Sequence, residues 1–502
     1  MRRVLPVFIG FLVLHGILRW GLDLRDMPGA AGTEVLYKAA LGERKENYTV
    51  WILLLLQYNL SISVLQSAKL CSLLGGLCSV WGIYLAGKAI SERTGLYSAL
   101  LCISWSMTHY YSLMVGSDPL AFGFSWLSVG LCWYGGARGW WGLPVLMLGL
   151  SMASFAVRIK ELALPPLALI PLYPMWVRSK RTAVLSLPFV LYSAYWGYAW
   201  MWPAQAHRLQ TEVVLDSGSF TQGWNRLIAL YERGIPQGKF DQLILLPALL
   251  LPFSRRNFKK YILWAAAALL LIGTAYMLQQ RARPRYLASA ALGSLLVLGF
   301  VLSTIRFHRA MLCAVCFLFI MDGWAYFDVW GEKRQQMVGG NAPRFPAAPS
   351  PWRRQYESMS DLTLRDLSLY GAISMVEKVQ ETDGIASMRL RDERHRSLLA
   401  FATLYDKGFV ILDPGACCAG NPVDERCAQR TTRAVKEAGF TLLLPTDIKG
   451  IERIYPNEER WRTLLLQSVT QTEHDPTWIS ASPTATGGEL PCQASIPFRN
   501  AK

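Results

Sequence analysis

The chain has 502 residues, of which 52% are hydrophobic and 17% are charged, and its formal net charge at pH 7 is +16. This composition is too apolar for an ordinary soluble domain and is typical of a membrane domain joined to a soluble one. The positive charge does not indicate nucleic-acid binding, because much of it lies in short gaps between apolar segments, where membrane topology and anionic lipid head groups explain it.

Apolar segments follow one another along residues 1–330. A membrane-spanning helix needs about 20 apolar residues, and on this criterion about eleven spans are predicted. They are residues 4–20, 67–88, 95–114, 119–136, 140–157, 162–177, 183–202, 241–254, 261–278, 286–304 and 309–328. The first span lacks a small-residue cleavage site and is therefore interpreted as a signal anchor.

Every second gap between these spans is basic. The basic gaps are Met1–Arg3, Lys88–Arg93, Arg138, Arg178–Arg181, Arg255–Lys260 and Arg306–Arg309. Positively charged loops stay on the cytoplasmic side, so the amino terminus is predicted to lie inside and the carboxyl terminus outside. The other gaps then face outward. The first of them contains a segment at about 33–60 that is predicted to form amphipathic helices on the outer surface.

The chain beyond the last span has a different pattern. Residues 331–355 are rich in Pro, Gly and Arg and are predicted to form a linker. Residues 356–502 are predicted to form a small soluble α/β domain outside the cytoplasm, with a strand at Phe409–Asp413, a helix at Asp424–Ala438 and a strand at Phe440–Leu444. Such a strand–helix–strand run favours a small parallel sheet.

Four of the ten cysteines lie in this last region, namely Cys417, Cys418, Cys427 and Cys492. In an oxidising compartment they are expected to form disulfides rather than a zinc site, and three pairings remain open. The other cysteines lie in apolar segments, where cysteine is usually a small packing residue.

Ionisable residues in the outward gaps are costly near a membrane and need a reason. The carboxylates are Asp26, Glu34 and Asp118, and the cations are Arg158, Lys160, Arg283 and Arg285, the last followed by Tyr286. A carboxylate can take a proton from an acceptor hydroxyl, and arginine or lysine can hold a phosphate leaving group. This combination suits transfer of a group from a lipid-linked phosphate.

Each of these residues also has a structural interpretation. Asp26 and Glu34 could be solvated surface residues, and Asp118, followed by proline, could simply begin a helix. Arg158 and Lys160 could extend to lipid head groups, and the arginines at 283 and 285 could do the same.

The order of these features resembles the GT-C class of membrane glycosyltransferases, in particular the bacterial group that includes protein mannosyltransferases and the lipid A aminoarabinose transferase. The matching stretches are Thr33-Glu34-Val35-Leu36-Tyr37, residues 69–104, Ser117-Asp118-Pro119-Leu120, Lys160 and Arg285-Tyr286-Leu287. The resemblance covers roughly residues 1–330, which makes this part a GT-C-like transmembrane domain. It implies an inverting enzyme of the bacterial inner membrane that uses a polyprenyl-phosphate sugar as donor.

The resemblance implies catalytic roles for Glu34, Asp26 and Asp118, and donor-phosphate binding by Lys160, Arg158, Arg283, Arg285 and Tyr286. One departure is Thr33, which stands where the family has its catalytic aspartate and cannot act as a general base at neutral pH. Two functions therefore remain open: a transferase acting on a lipid, glycan or protein acceptor, and an inactive GT-C-like subunit that serves as a scaffold in a membrane complex. A divalent metal ion stays open as a cofactor. A transporter is disfavoured because no internal repeat is visible.

Overall fold

The computed structural model describes residues 5–22, 48–62, 64–114, 116–159, 163–170, 191, 217–232, 263, 266–271, 288–338, 343–357, 384–388, 408–412, 417–418, 424–445, 456–468, 474–475, 478–481 and 494–495. Within these ranges, the chain up to Glu357 is helical and strands occur only after it. The two parts follow the change of pattern seen in the sequence.

The helices of the first part coincide with most of the predicted spans. They are α1 Leu5–Gly21, α2 Tyr48–Leu60, α3 Val64–Ile90, α4 Glu92–Ser104, α5 Ser106–Leu113, α6 Asp118–Gly136, α7 Leu143–Ile159, α8 Leu164–Leu167, α9 Ser217–Glu232, α10 Ala288–Thr304, α11 His308–Val338 and α12 Ser350–Glu357. The spans predicted at 183–202 and 241–254 lie almost wholly outside the described residues, and those at 162–177 and 261–278 are described only in part.

Two of the described helices are long and apolar enough to cross a membrane, at Gln66–Ile90 in α3 and His308–Glu332 in α11. Shorter apolar helices occur at Leu5–Gly21, Leu143–Val157 and Ala291–Thr304. Many large apolar side chains on the outside of the bundle are exposed, for example Ile9 and Ile17 on α1 and Phe317 on α11. An apolar exterior of this kind suits a hydrocarbon environment.

The segment predicted as a single span at 95–114 is instead two helices, α4 and α5. Trp105 separates them in an extended conformation, with φ −83° and ψ 128°. A buried helix end leaves carbonyl groups without partners, and these groups must be satisfied locally. Here the ring Nε2 of His109 lies 2.6 Å from the carbonyl oxygen of Ile103, so a side chain replaces the missing helical hydrogen bond.

Helix α11 extends ten residues beyond the predicted span at 309–328, so its last residues occupy the start of the predicted linker. The predicted span ends at Asp328, and Glu332 lies just beyond it. In the structure these carboxylates are paired with Arg353 on α12, so the helix continues past them. Residues 350–355, at the end of the predicted linker, belong to helix α12, which continues to Glu357 and packs on α11.

Helices α3 and α6 pack with their backbones in contact. A Cβ atom added at Gly75 would overlap the backbone of Pro119, and one added at Gly82 would overlap the backbone of Trp126. Glycines on α6 complete the contact, because Gly123 lies against Gly75 and Gly130 against Gly82. The order of these contacts shows that the two helices run parallel. Small residues that allow such close approach are typical of helix packing in membranes.

The second part of the chain contains a six-stranded mixed sheet with the order β4–β5–β3–β1–β2–β6. The strands and helices are β1 Gly384–Met388, β2 Gly408–Leu412, α13 Glu425–Glu437, β3 Phe440–Pro445, α14 Pro456–Ser468, β4 His474–Asp475, β5 Trp478–Ala481 and β6 Ala494–Ser495. Strand β1 pairs in parallel with β2 and β3, in register from Gly384 opposite Gly408 and Phe440. The strands predicted at Phe409–Asp413 and Phe440–Leu444 are thus observed, with α13 between them.

Candidate functional site

The beginning of α6 and the end of α7 lie at the same end of the helical bundle. Leu120 and Ala121 of α6, Ile159 of α7 and Leu53 of α2 belong to one buried apolar cluster, together with the start of α3 at Ala68. We call this region the Asp118 end, after the residue that begins α6. Ile159, the last residue of α7, therefore lies beside the residues that follow Asp118.

The beginning of α10 also lies at the Asp118 end. Leu292, in the second turn of α10, lines a small cavity together with Pro119 and Tyr111. At the other end of the bundle, Thr94 of α4 and Ser303 of α10 have their hydroxyl oxygens 3.2 Å apart, which fixes the direction of α10. The predicted phosphate-binding segment at 283–286 immediately precedes this helix in the chain.

Asp118 itself is the first residue of α6, and only 5% of it is exposed. The residue at the cap position is Ser117, whose side chain makes no capping hydrogen bond to the described residues. Pro119 follows at a position where its missing N–H costs nothing. A carboxylate in the first helical turn is stabilised by the helix dipole, so a buried charge is compatible with this position.

The other predicted site residues cannot be placed. Glu34, Asp26, Lys160, Arg283, Arg285, Tyr286 and Cys492 lie outside the described residues, and for Arg158 only the backbone is described. Of the predicted catalytic and phosphate-binding side chains, Asp118 is the one that the described part of the chain contains.

A group of buried histidine and serine side chains lies next to the Asp118 end. Nδ1 of His15 is 3.0 Å from Oγ of Ser112, and that hydroxyl donates to the carbonyl oxygen of His109 over 2.9 Å. Because the single hydroxyl proton of Ser112 is used, Nδ1 of His15 must donate. Phe11 stacks on both rings, 5.2 Å from His109 and 6.1 Å from His15 between centroids.

Carboxylates on α11 form a second polar cluster, which the sequence analysis missed. Oδ1 of Asp322 accepts hydrogen bonds from Tyr356 over 2.7 Å and from Gln355 over 2.8 Å. Oδ2 of Asp328 accepts from Arg353 over 3.0 Å and from the backbone N–H of Ala348 over 2.9 Å. Acidic residues inside an apolar segment were the available signal. Their satisfied geometry indicates that they fasten α12 to α11.

No group of three or more His, Cys, Asp or Glu side chains in the described ranges is arranged to hold a metal ion. The geometry there consists of buried single carboxylates and hydrogen-bonded histidines.

The disulfide prediction is confirmed for one pair, because Cys418 is bonded to Cys427 near the start of α13. Cys417 is also disulfide-bonded, and its partner lies outside the described residues. The start of α13 is further fixed by Asp424, whose side chain accepts a hydrogen bond from the N–H of Cys427 over 2.8 Å. Of the three pairings that the sequence left open, one contains the observed bond between Cys418 and Cys427.

Comparison with known proteins gives a match at the level of structure only. No family model matches the chain, and no curated protein sequence matches it. Among solved structures, the fold is similar to that of ArnT from Cupriavidus metallidurans. The apo form shares 11% identity at a TM-score of 0.52, over 97% of this chain and 100% of that one. The form bound to undecaprenyl phosphate shares 12% identity at a TM-score of 0.54, over 96% and 99% of the two chains.

An oligosaccharyltransferase from Archaeoglobus fulgidus, in complex with Zn and sulfate, gives a lower TM-score of 0.44 at 10% identity, over 87% of this chain and 68% of that one. The similarity to ArnT spans nearly the whole of both chains and includes the helical part and the part that carries the sheet. At this level of identity it establishes the fold alone. The chain has the fold of ArnT, which is a membrane glycosyltransferase of the GT-C class.

Proposed function

We propose that the protein is a GT-C glycosyltransferase that moves a sugar from a polyprenyl-phosphate donor to an acceptor on the outer face of the bacterial inner membrane. The observation that carries this proposal is the fold similarity to ArnT over 96% of the chain, in a structure of ArnT that holds undecaprenyl phosphate. The donor class is the part of the proposal that this similarity supports. The acceptor is a lipid, a glycan or a protein.

The proposed reaction is a single displacement at the anomeric carbon. The acceptor hydroxyl attacks this carbon, the bond to the phosphate oxygen breaks with inversion, and the hydroxyl proton passes to a carboxylate. Polyprenyl phosphate leaves with the bonding electrons, and its negative charge is held by cations. Because the attacking oxygen and the leaving phosphate lie on opposite sides of the sugar, the base and the cations must face the sugar from two directions.

We assign the base to Glu34 or Asp26, since Thr33 cannot fill this role, and we propose Asp118 as a further catalytic carboxylate. Lys160, Arg158, Arg283, Arg285 and Tyr286 are proposed to bind the donor phosphate. Support comes from their neighbours in the chain, because Ile159 lies at the Asp118 end and Leu292, in the second turn of α10, lies beside Pro119. The helices that adjoin the proposed cations in the chain, α7 and α10, thus meet at one end of the bundle, which supports this assignment.

The proposed domains and their location agree with this function. Residues 1–330 are proposed to form the transmembrane domain, and residues 356–502 an extracytoplasmic domain joined to it through residues 331–355. The paired tail cysteines suit an oxidising compartment outside the cytoplasm. Membrane lipids surround the bundle, and a divalent metal ion remains an open cofactor.

The test is sugar transfer by the purified full chain with radiolabelled undecaprenyl-phosphate sugars. Glu34→Gln and Asp26→Asn are each compared with Glu46→Gln, a control in the same predicted outer segment. Loss of the base is expected to lower the rate by about 100-fold or more, because general base catalysis contributes about 10²–10⁴-fold. Donor binding, measured with undecaprenyl phosphate itself, is expected to stay unchanged in both variants.

The results separate the enzyme from the inactive scaffold, which Thr33 keeps as the alternative function. Full transfer by both variants contradicts the assignment of the base. Binding of undecaprenyl phosphate by the wild-type chain with no transfer from any donor favours an inactive subunit. No binding of undecaprenyl phosphate at all contradicts the proposed function itself.

A further inference from the structure

A cavity of about 250 Å³ lies between α1, the junction of α4 and α5, α11 and the segment around Phe345. Most of its lining is apolar, and it opens between Ile17 of α1, which is 51% exposed, and Ile320 of α11, which is 43% exposed. A mouth formed by exposed apolar side chains on two membrane helices faces hydrocarbon rather than water. A ligand of such a cavity would therefore enter from the lipid bilayer.

The lining includes two buried polar side chains whose atoms lack partners within the described part of the chain. They are Oγ of Ser106 and Nδ1 of His109, and each residue is 3% exposed. Unpaired polar atoms at this depth are costly, so a partner from a ligand would be stabilising. The two residues are three positions apart on α5 and therefore neighbour each other on one helix face.

The hydrogen bond of His109 decides what kind of partner fits. Its Nε2 faces the carbonyl oxygen of Ile103 at 2.6 Å, and a carbonyl can only accept, so Nε2 carries the proton. In the neutral ring Nδ1 is then a pure acceptor. The hydroxyl of Ser106 can donate. An acceptor and a donor one helical turn apart match a hydroxyl group, which donates a hydrogen bond to Nδ1 and accepts one from Ser106.

We propose that this cavity binds a membrane-derived amphiphile that carries a neutral hydroxyl group on an aliphatic chain. The chain lies among the apolar side chains, and the hydroxyl bridges Ser106 and His109. An anionic phosphate is a poorer match, because burying its charge among apolar side chains without a paired cation is costly, and its fully ionised form has no proton for Nδ1. The cavity is also larger than an ordered water needs, and a dry cavity of about 150 Å³ already accepts a small apolar molecule. The proposal does not depend on sugar transfer.

The probe is decanol carrying a diazirine group, used with the full chain in nanodiscs of phosphatidylethanolamine and phosphatidylglycerol. Photolabelling is expected on peptides of α1 and α11 and is read by mass spectrometry. Unlabelled decanol is expected to compete, whereas decane and decyl phosphate compete poorly. Gly323→Leu, which places a side chain in the cavity, is expected to abolish labelling.

Ser106→Ala tests the polar contact, and Ser104→Ala is its matched control. Both residues line the cavity, but the hydroxyl of Ser104 already donates to the carbonyl oxygen of Leu100 over 2.8 Å. Losing one hydrogen bond is expected to weaken decanol binding by about threefold to tenfold in Ser106→Ala and to leave Ser104→Ala unchanged. The melting temperature of Ser106→Ala is expected to be unchanged or higher, because an unpaired buried hydroxyl is removed.

Three results would overturn the proposal. One is equal binding of decanol by the Ser106→Ala and wild-type chains at equal stability. Another is competition by decane that matches competition by decanol, which would show recognition of the chain alone. The third is stronger competition by decyl phosphate, which would assign an anion to the polar end of the cavity.

Discussion

Asp118 begins helix α6 and is also the proposed catalytic carboxylate that the described part of the chain contains. The first position of α6 stabilises its negative charge through the helix dipole, and Pro119 begins the helix without loss of a hydrogen bond. The sequence alone could not separate a helix start from a functional carboxylate. With 5% of the residue exposed, its carboxyl group lies inside the bundle, at the Asp118 end.

Asp118→Asn is expected to reduce sugar transfer by about 100-fold, which lies within the range for loss of an acid–base group. The melting temperature is expected to change little, because asparagine has the same shape. Ser117→Ala is the control, since the side chain of Ser117 makes no capping bond to the described residues. Transfer rates and thermal unfolding of the two purified variants provide the measurement. Undiminished transfer by Asp118→Asn would contradict its place in the site.

The two unpaired polar residues of the cavity between α1 and α11 could not be recognised from the sequence. His109 was visible only as an isolated histidine before Asp118, because its partner, the carbonyl oxygen of Ile103, becomes available only where α4 ends. Ser106 carried no signal at all. Both depend on the break at Trp105, and a break inside an apolar segment has no clear mark in hydropathy.

Among the helices, α11 and α12 form a pair that is held by polar contacts. Arg353 of α12 bridges Asp328 and Glu332 of α11, and Tyr356 donates to Asp322. The ring of Tyr326 lies between Tyr356, at 5.6 Å, and Tyr110 of α5, at 6.0 Å. These ring contacts connect α12, through α11, to α5, the helix that precedes Asp118 in the chain.

Arg353→Ala is expected to destabilise the α11–α12 pair by about 1–3 kcal/mol, because the buried carboxylate of Asp328 loses its charged donor. The measurements are thermal unfolding and the rate of chymotrypsin cleavage next to Phe345 and Tyr356. Arg354→Ala is the control, because this neighbouring side chain is exposed. Equal cleavage rates in the two variants would show that the ion pairs do not hold α12 in place.

The boundaries of these helices explain where hydropathy is informative. It predicted α1, α3, α6 and α10 to within a few residues, because each is a continuous apolar run. Hydropathy placed the end of α11 too early, because a local pattern cannot show that Arg353, on another helix, forms ion pairs with Asp328 and Glu332. Pairing partners distant in sequence are the information that a local pattern lacks.

For the whole molecule, the fold class could be predicted further than the site. The succession of apolar spans and the order of short motifs pointed to the GT-C fold, and the similarity to ArnT agrees with it over 97% of the chain. The strand–helix–strand pattern of the tail was visible from its buried strands. The arrangement of the polar residues in the predicted outward gaps could not be predicted, because it depends on loops whose positions no periodicity encodes.

The predicted topology is tested with alkaline phosphatase, which is active only outside the cytoplasm. Fusion after Lys502 is expected to give an active reporter, because the gaps with positive charge stay inside. Fusion after Arg138, in a predicted cytoplasmic gap, is the matched control and is expected to be inactive. The opposite pattern would reverse the orientation and place Asp118 on the cytoplasmic side.

The glycine contacts between α3 and α6 limit how the bundle can move. Where Gly75 meets Gly123 and Gly82 meets Gly130, no side chain lies between the two helices that could swing aside. The two helices are therefore closely joined behind Asp118, and a bulky molecule cannot pass between them. The proposed lipid-linked donor would have to reach the Asp118 end from another side of the bundle.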